Sequence, residues 1–286
     1  MFIDSHCHLE MLKDINSVVE RARRNNVGII VYNSVNHETM KYALELSERY
    51  KEIKVALGIY PIDALKLNDN EIDKEIEFIR KNRKKIIAIG EIGIDLKESK
   101  DTENKFSVLK NLKVEEKFSS FDKQKKNFIR FLDLSKELDI PVFIHSRGAE
   151  EKIIDILERE KCKKVVIHCF MGNFKLIDRI VNNGWTLSIP ANITFSEHFQ
   201  KVVERVKIDS LLCETDSPFL HPVKGMRNTE NQGFSVPPIS KEIRVNEPAN
   251  VVESYKMIAK IKKISLKECE KKIEDNFRRL FEIIMV

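Results

Sequence analysis

The chain has 286 residues, 42% of them hydrophobic, enough for a sizeable core in one large domain or two small ones. No apolar run approaches the ~20 residues that span a bilayer, and the N-terminus lacks the basic and apolar regions of a signal peptide, so a cytoplasmic protein without a membrane segment is expected. Fifty basic against 45 acidic residues give a net charge of +5 that permits a polyanionic partner without demanding one, and five cysteines with no Cys-x-x-Cys pair signal neither a disulfide framework nor a zinc knuckle.

In chain order, apolar runs of four to six residues alternate with longer segments of helical spacing, the pattern of repeated β-α units. The runs 2–5, 28–32, 55–58, 86–90, 142–145, 165–168, 186–189 and 211–214 predict eight strands. Between them the spacing predicts helices over 16–25, 38–50, 70–82, 123–138, 149–161, 174–183 and 196–206. This alternation predicts an α/β fold, a (β/α)8 TIM barrel spanning 1–286 as a single domain. The rival is an open doubly wound sheet, whose Gly-x-Gly-x-x-Gly signature does not follow the first strand. Three segments exceed a simple barrel. The stretch 97–122, read as a long loop with one helical turn at most, and 225–246, read as a long loop, are expected at the C-terminal face, where long loops carry function. The third, 265–284, is expected as an extra packing helix opened by Ser265.

The first strand leads into His6-Cys7-His8. Residues two apart in a strand share a face, so two imidazoles can aim at one point. Alternation turns Cys7 away, and it reads as a small packing residue. A lone His-x-His is a weak motif, but barrel enzymes build their sites at the C-terminal ends of strands. There the fourth strand offers Glu91, the fifth His145, the sixth His168, and the eighth Glu214-Thr215-Asp216. Four of the chain's seven histidines occupy such positions. Each residue alone would read as structural; together they make a ligand set large enough for two divalent ions bridged by a carboxylate. One ion would take His6, His8, Glu91 and Asp216, the other Glu91, His145 and His168. Imidazole with carboxylate suits zinc, manganese, iron or nickel better than calcium; magnesium is not excluded, and the ligand set does not choose among them. The chemistry expected is hydrolysis, with Asp216 as general base and Glu91 as bridge.

These residues lie in motifs that resemble the TatD family of metal-dependent hydrolases, within the amidohydrolase superfamily. They read Phe2-Ile3-Asp4-Ser5-His6-Cys7-His8-Leu9, Gly90-Glu91-Ile92-Gly93-Ile94-Asp95, Pro141-Val142-Phe143-Ile144-His145-Ser146-Arg147, His168-Cys169-Phe170, Glu214-Thr215-Asp216-Ser217-Pro218-Phe219-Leu220 and Asn246-Glu247-Pro248, in the family's order. The resemblance implies a barrel with a two-metal site and metal-dependent deoxyribonuclease activity, including 3′-to-5′ exonuclease action, with DNA, single-stranded or at 3′ ends, as substrate. Some relatives are linked instead to removal of D-amino acids from tRNA. An aminoacyl-tRNA or small-metabolite substrate is therefore the alternative, and a non-catalytic nucleic-acid-binding barrel a third reading. No protein partner is implied.

The chain departs from the family pattern at Tyr60, where many relatives carry histidine in Gly-x-His-Pro, and at Gly148, where an acid is usual. Tyr60 can donate a hydrogen bond but cannot replace an imidazole as base or ligand at neutral pH. Arg147 is the candidate phosphate clamp, with a structural ion pair as its competing role. Arg227, Arg244 and the loop lysines could extend a basic rim. Glu214 and Asp95 are expected to support ligand histidines from behind, and Asp4 shares parity with His6 and His8. Trp185, Phe170, Phe195 and Phe219 could stack bases, although such positions more often serve packing.

Overall fold

A computed structural model describes residues 1–96, 114–226 and 245–282. Eight strands follow one another in one sheet in the order β1 to β8, the order of a (β/α)8 TIM barrel. They are β1 (Phe2–Cys7), β2 (Val27–Asn33), β3 (Ile53–Leu57), β4 (Ala88–Gly93), β5 (Val142–His145), β6 (Val165–His168), β7 (Thr186–Pro190) and β8 (Leu211–Glu214). Every residue of β1, β4, β5, β6, β7 and β8 is buried. That is why they read as continuous apolar runs rather than alternating ones: a parallel sheet covered on both faces has no solvent side. The predicted strands fall on the observed ones, and three have the same bounds. β1 and β4 each run two or three residues further than the apolar run, because His6, Cys7 and Glu91 to Gly93 stay in extended backbone after the hydrophobic residues end.

The helices are α1 (Ile15–Arg24), α2 (His37–Arg49), α3 (Pro61–Ala64), α4 (Asp69–Lys81), α5 (Val114–Leu138), α6 (Glu150–Arg159), α7 (Phe174–Asn182), α8 (Glu197–Arg205), α9 (Val251–Lys262) and α10 (Leu266–Phe281). Their starts follow side-chain caps where the sequence supplies them. Asn68 and Glu71 form a reciprocal capping box on α4, Asn173 caps α7 through Leu176 N–H, and Ser265 caps α10 through Glu268 N–H.

Two expectations need correction. The stretch 97–122 is not a loop throughout, since α5 already begins at Val114; of the expected loop, 97–113 lies outside the described residues. The second is α9, which the sequence reading leaves out. It begins three residues after Pro248, and its buried face, with Val251, Ser254, Tyr255 and Ile258, mixes polar with apolar side chains. Most of 225–246, with Arg227 and Arg244, also lies outside the described residues.

The chain divides into two compact units. Unit 1 comprises 1–32, 45–54 and 186–286. In it β1 pairs with β2, and β7 pairs with β8 in unbroken register from Leu187 with Leu211 to Pro190 with Glu214. Tyr255 of α9 reaches beneath β1, accepting a hydrogen bond from Ile3 N–H at 3.0 Å and donating one to Ile3 C=O at 3.2 Å. Asn276 of α10, buried, donates to the carbonyls of Ile208 and Leu211 at 2.7 and 2.9 Å. The C-terminal helix thus satisfies backbone groups at the entry to β8 as well as packing apolar surface.

Unit 2 comprises 33–44 and 55–185. Here β3 to β6 pair in sequence order and α5 packs on β4. Trp185 is buried and donates its indole N–H to Cys162 C=O at 2.9 Å, a packing role that withdraws it from the stacking candidates.

Replacing Asn276 by Leu removes both donors and leaves the carbonyls of Ile208 and Leu211 without them. We expect a loss of about 2 kcal/mol in urea unfolding, with the slope of the transition unchanged.

Candidate metal centre

In unit 1 the end of β1 is laced to the segment that leaves β8. Asp216 N–H donates to His6 C=O at 2.9 Å and His8 N–H to Ser217 C=O at 2.8 Å, either side of the parallel bridge between Cys7 and Ser217. Asp4, buried, accepts from Thr215 N–H at 2.8 Å and Thr215 Oγ1 at 2.6 Å, fixing the same segment from beneath. Burial holds the Asp4 carboxyl well above the usual carboxylate range, against the lowering effect of the Thr215 hydrogen bonds.

This lacing brings three ligand atoms together. His6 Nε2 and His8 Nε2 are 3.3 Å apart, and Asp216 Oδ1 lies 3.6 and 3.5 Å from them. Donors ~2.1 Å from a shared ion at tetrahedral or octahedral angles stand about 3 to 3.5 Å from one another. The triad therefore has the spacing of one ion's ligands. The backbone of Asp216 takes a φ of 52°, a left-handed conformation that turns its side chain out of the strand's alternation. Glu214, also predicted here, accepts a hydrogen bond from Ser188 Oγ and brings a carboxylate oxygen within 4.8 Å of a His6 ring nitrogen. Glu10, not singled out from the sequence, places Oε1 3.9 Å from His8 Nδ1. Its only sequence signal is its place two residues beyond His8.

In unit 2 a second triad forms from β4, β5 and β6. Glu91 Oε1 is 2.6 Å from His145 Nδ1 and 3.0 Å from His168 Nε2, and the two ring nitrogens are 3.2 Å apart. All three residues are buried. Glycine allows this crowding: a Cβ on Gly93, whose φ is +146°, would lie 2.0 Å from His145 C=O, and one on Gly58 would lie 2.6 Å from the Gly90 carbonyl carbon. Gly93 pairs with His145 across the sheet, so the close approach seats Glu91 beside the histidine.

Behind His145 stands a polar cluster gathered on Asp95 Oδ2. His145 Nε2 is 3.2 Å from that oxygen, Arg147 donates from Nε and Nη2 at 3.0 and 2.6 Å, and the Tyr60 hydroxyl donates to it as well. The Gln124 side chain clamps the Asp95 backbone at both N–H and C=O, at 2.8 and 3.1 Å. Gln124 lies within a helix and carries no strand-end signal, so nothing local marks it as part of a site. Burial raises the Asp95 carboxyl, but hydrogen bonding from His145 and Arg147 outweighs it and holds the group ionised, well below its ordinary value. An ionised carboxylate only accepts, so Asp95 keeps a proton on His145 Nε2 and leaves Nδ1 as the nitrogen that a metal would take once His145 is neutral.

The donor set fits a cation on that ground. Glu91 Oε1, His145 Nδ1 and His168 Nε2 would otherwise oppose lone pairs at hydrogen-bond distance, an arrangement that only a proton or a metal ion relieves. Burial works to raise the Glu91 carboxyl, yet His168 and His145 hold it well below its ordinary value. Burial depresses the His145 imidazole, but Glu91 and Asp95 carry it above its ordinary value.

Of the sequence-predicted residues, the structure gathers His6, His8 and Asp216 in one unit and Glu91, His145 and His168 in the other, with Asp95, Tyr60 and Arg147 behind His145. Arg147 is engaged by Asp95, the ion-pair role set beside the phosphate clamp. Tyr60 acts as a donor to Asp95, 3.3 Å from His145 Nε2. Gly148 has a φ of +70°, a conformation in which glycine carries no Cβ strain. Phe170 is buried, whereas Phe195 and Phe219 are exposed. No helix of the described residues is long and apolar enough to cross a membrane.

The family described as TatD related DNase matches residues 3–282. A metal-dependent hydrolase of Methanocaldococcus jannaschii is 33% identical over 284 residues, covering 98% of this chain and 97% of that protein. Human deoxyribonuclease TATDN3 is 30% identical over 289 residues, covering 98% and 94%. Among solved structures, the TatD homologue YjjV of Escherichia coli superposes with a TM-score of 0.78 at 25% identity, covering 99% of this chain and 98% of that one.

Two predictions follow from the second triad. Asp95→Asn should weaken binding of one equivalent of zinc about 10- to 100-fold while the other equivalent keeps its affinity, read by competition with a chromophoric chelator. Because the raised His145 must lose its proton to bind, affinity at this triad should fall as pH drops from 8 to 6, and rise again on return. A pH-independent isotherm would contradict that assignment.

Proposed function

The chain belongs to the TatD family of metal-dependent hydrolases, and on that footing we propose that it is a deoxyribonuclease that cleaves DNA phosphodiester bonds by attack of water. The observation that carries the reading is the pair of triads, His6–His8–Asp216 and Glu91–His145–His168, each with its three ligand atoms mutually within 4.8 Å. We assign one divalent ion to each.

Such ions lower the pKa of water, polarise a phosphoryl oxygen and stabilise the leaving oxygen. The protein's own groups do the rest. Asp216 directs Oδ1 to the two histidines and takes the proton of the attacking water on its other oxygen, the position a general base requires. Asp4 and Thr215 hold the segment bearing Asp216 so that its carboxylate keeps its aim. Glu91 presents an ionised oxygen to both imidazoles of its triad, and Asp95 fixes His145 in the tautomer that leaves Nδ1 to bind. Arg147 and Tyr60 keep Asp95 in place, and with it the orientation of His145.

The DNA chemistry rests on the naming of relatives such as the human deoxyribonuclease. Tyr60 in place of the family's histidine favours a second reading, hydrolysis of an aminoacyl-tRNA ester by the same water attack. One experiment separates them. Metal-replete protein is given end-labelled single-stranded DNA and, in parallel, D-aminoacyl-tRNA. We expect DNA cleavage that a chelator abolishes and that falls at least 100-fold in Asp216→Asn. Deacylation of the tRNA with no DNA cleavage above the variant's level would replace the first reading with the second.

A further inference from the structure

Gln124 stands in the middle of α5, wholly buried, with its side-chain amide turned to the backbone of Asp95. Its Oε1 accepts from Asp95 N–H at 2.8 Å, and its Nε2 donates to Asp95 C=O at 3.1 Å and to Ser120 Oγ at 3.3 Å. Three residues further along α5, Asn127, also buried, donates to Ala64 C=O at 3.3 Å. Ala64 N–H in turn donates to Tyr60 C=O at 2.9 Å and closes the single turn of α3. Two amides on one face of α5 therefore hold both the backbone of Asp95 and the segment that brings the Tyr60 hydroxyl to the Asp95 carboxylate.

The Gln124 amide takes the place of a strand. Beyond β4, the N–H groups of Ile94 and Leu96 still donate to the carbonyls of His145 and Arg147, at 3.2 and 2.9 Å. Successive peptide groups of a strand point to opposite neighbours, so those of Asp95 face the side of β3, which has ended at Leu57. Buried backbone groups left there without partners would be costly, and Gln124 satisfies both. A glutamine that only filled space inside the fold would desolvate its own amide for nothing. What it holds explains its place. Asp95 meets His145 Nε2 at 3.2 Å, on the ring whose Nδ1 stands 2.6 Å from Glu91, so a shift of the Asp95 backbone moves the carboxylate that aims that ring.

We propose that Gln124 is a positioning residue for the Glu91–His145–His168 triad: by clamping the Asp95 backbone it fixes the carboxylate that orients His145, so that metal binding at this triad depends on a helix that supplies none of its three ligands. This rests on the assignment of one ion to each triad and deepens it. Gln124 acts through Asp95.

The test is a double-mutant cycle on zinc binding to the full chain, read by competition with a chromophoric chelator. The equivalent that His168→Ala removes marks this triad. Gln124→Met keeps the length of the side chain and loses its hydrogen bonds. It should weaken the marked equivalent about tenfold, the low end for outer partners of a ligand, and leave the other equivalent unchanged. In an Asp95→Asn background the same substitution should add less than about twofold, because the group it acts through is already altered; a role in packing alone would give losses that add. No change at the marked equivalent, an equal loss at both, or the same loss repeated in the Asp95→Asn background overturns the proposal and leaves the two-ion assignment standing. If Gln124→Met does not fold, Gln124→Asn decides by the same readings, since it keeps the amide but is one methylene too short to span both backbone groups. Should His168→Ala remove neither equivalent, the ion at this triad fails and the proposal with it, while the nuclease reading keeps its own test on DNA.

Discussion

Two backbone hydrogen bonds and one buried carboxyl group organise unit 1. His6 and Asp216 are 210 positions apart in the chain. They meet because Asp216 N–H and His8 N–H are used to join the end of β1 to the segment after β8, while Asp4 holds Thr215 by both its N–H and its hydroxyl. The side chains that form the triad project from this seam. Asn246 ties the seam to Phe219, so the ligands and the exposed ring are referenced to the same few backbone atoms. Such support is what a binding constellation needs, since a misplacement of an ångström costs much of its function.

Unit 2 solves a harder electrostatic problem. Glu91 is buried and carries a charge, and an unpaired buried carboxylate is costly. His145 and His168 compensate it at 2.6 and 3.0 Å, and Asp95 behind His145 is compensated in turn by Arg147 and Tyr60. The alternation of acid and base runs outward from the buried ligand oxygen to a partly exposed guanidinium. Each charge lowers the cost of its neighbour, and the orientation of His145 follows from it. Tyr60 fits this series as a neutral donor whose hydroxyl stays protonated, since burial and then Asp95 raise it well above its ordinary value.

The relation of sequence to structure differs between the ligands and their supports. The candidate ligands were legible because strand ends are marked by the halt of an apolar run, and the residue types at those halts were unusual: His6, His8, Glu91, His145 and His168. Asp216 and Asp95 were legible as acids just past such halts. Gln124 and Glu10 were not, because one lies inside a helix and the other in a turn, and neither place carries a period that points at a site. α9 differs: Val251, Tyr255, Ile258 and Ala259 stand at helical spacing on its buried face, interrupted only by Ser254, so its period was present in the sequence and was not used.

By itself the sequence determined the (β/α)8 alternation, the approximate extent of the strands and the identity of the six candidate ligands, because hydrophobic burial writes a local period and strand ends have a fixed polarity. Only the tertiary structure decided which nitrogen of His145 faces Glu91, that Arg147 is drawn to Asp95, and that Phe219 stays uncovered while Trp185 and Phe170 do not. Those outcomes depend on hydrogen bonds and packing between residues far apart in the chain, and on buried charges that have stable states only in one another's presence.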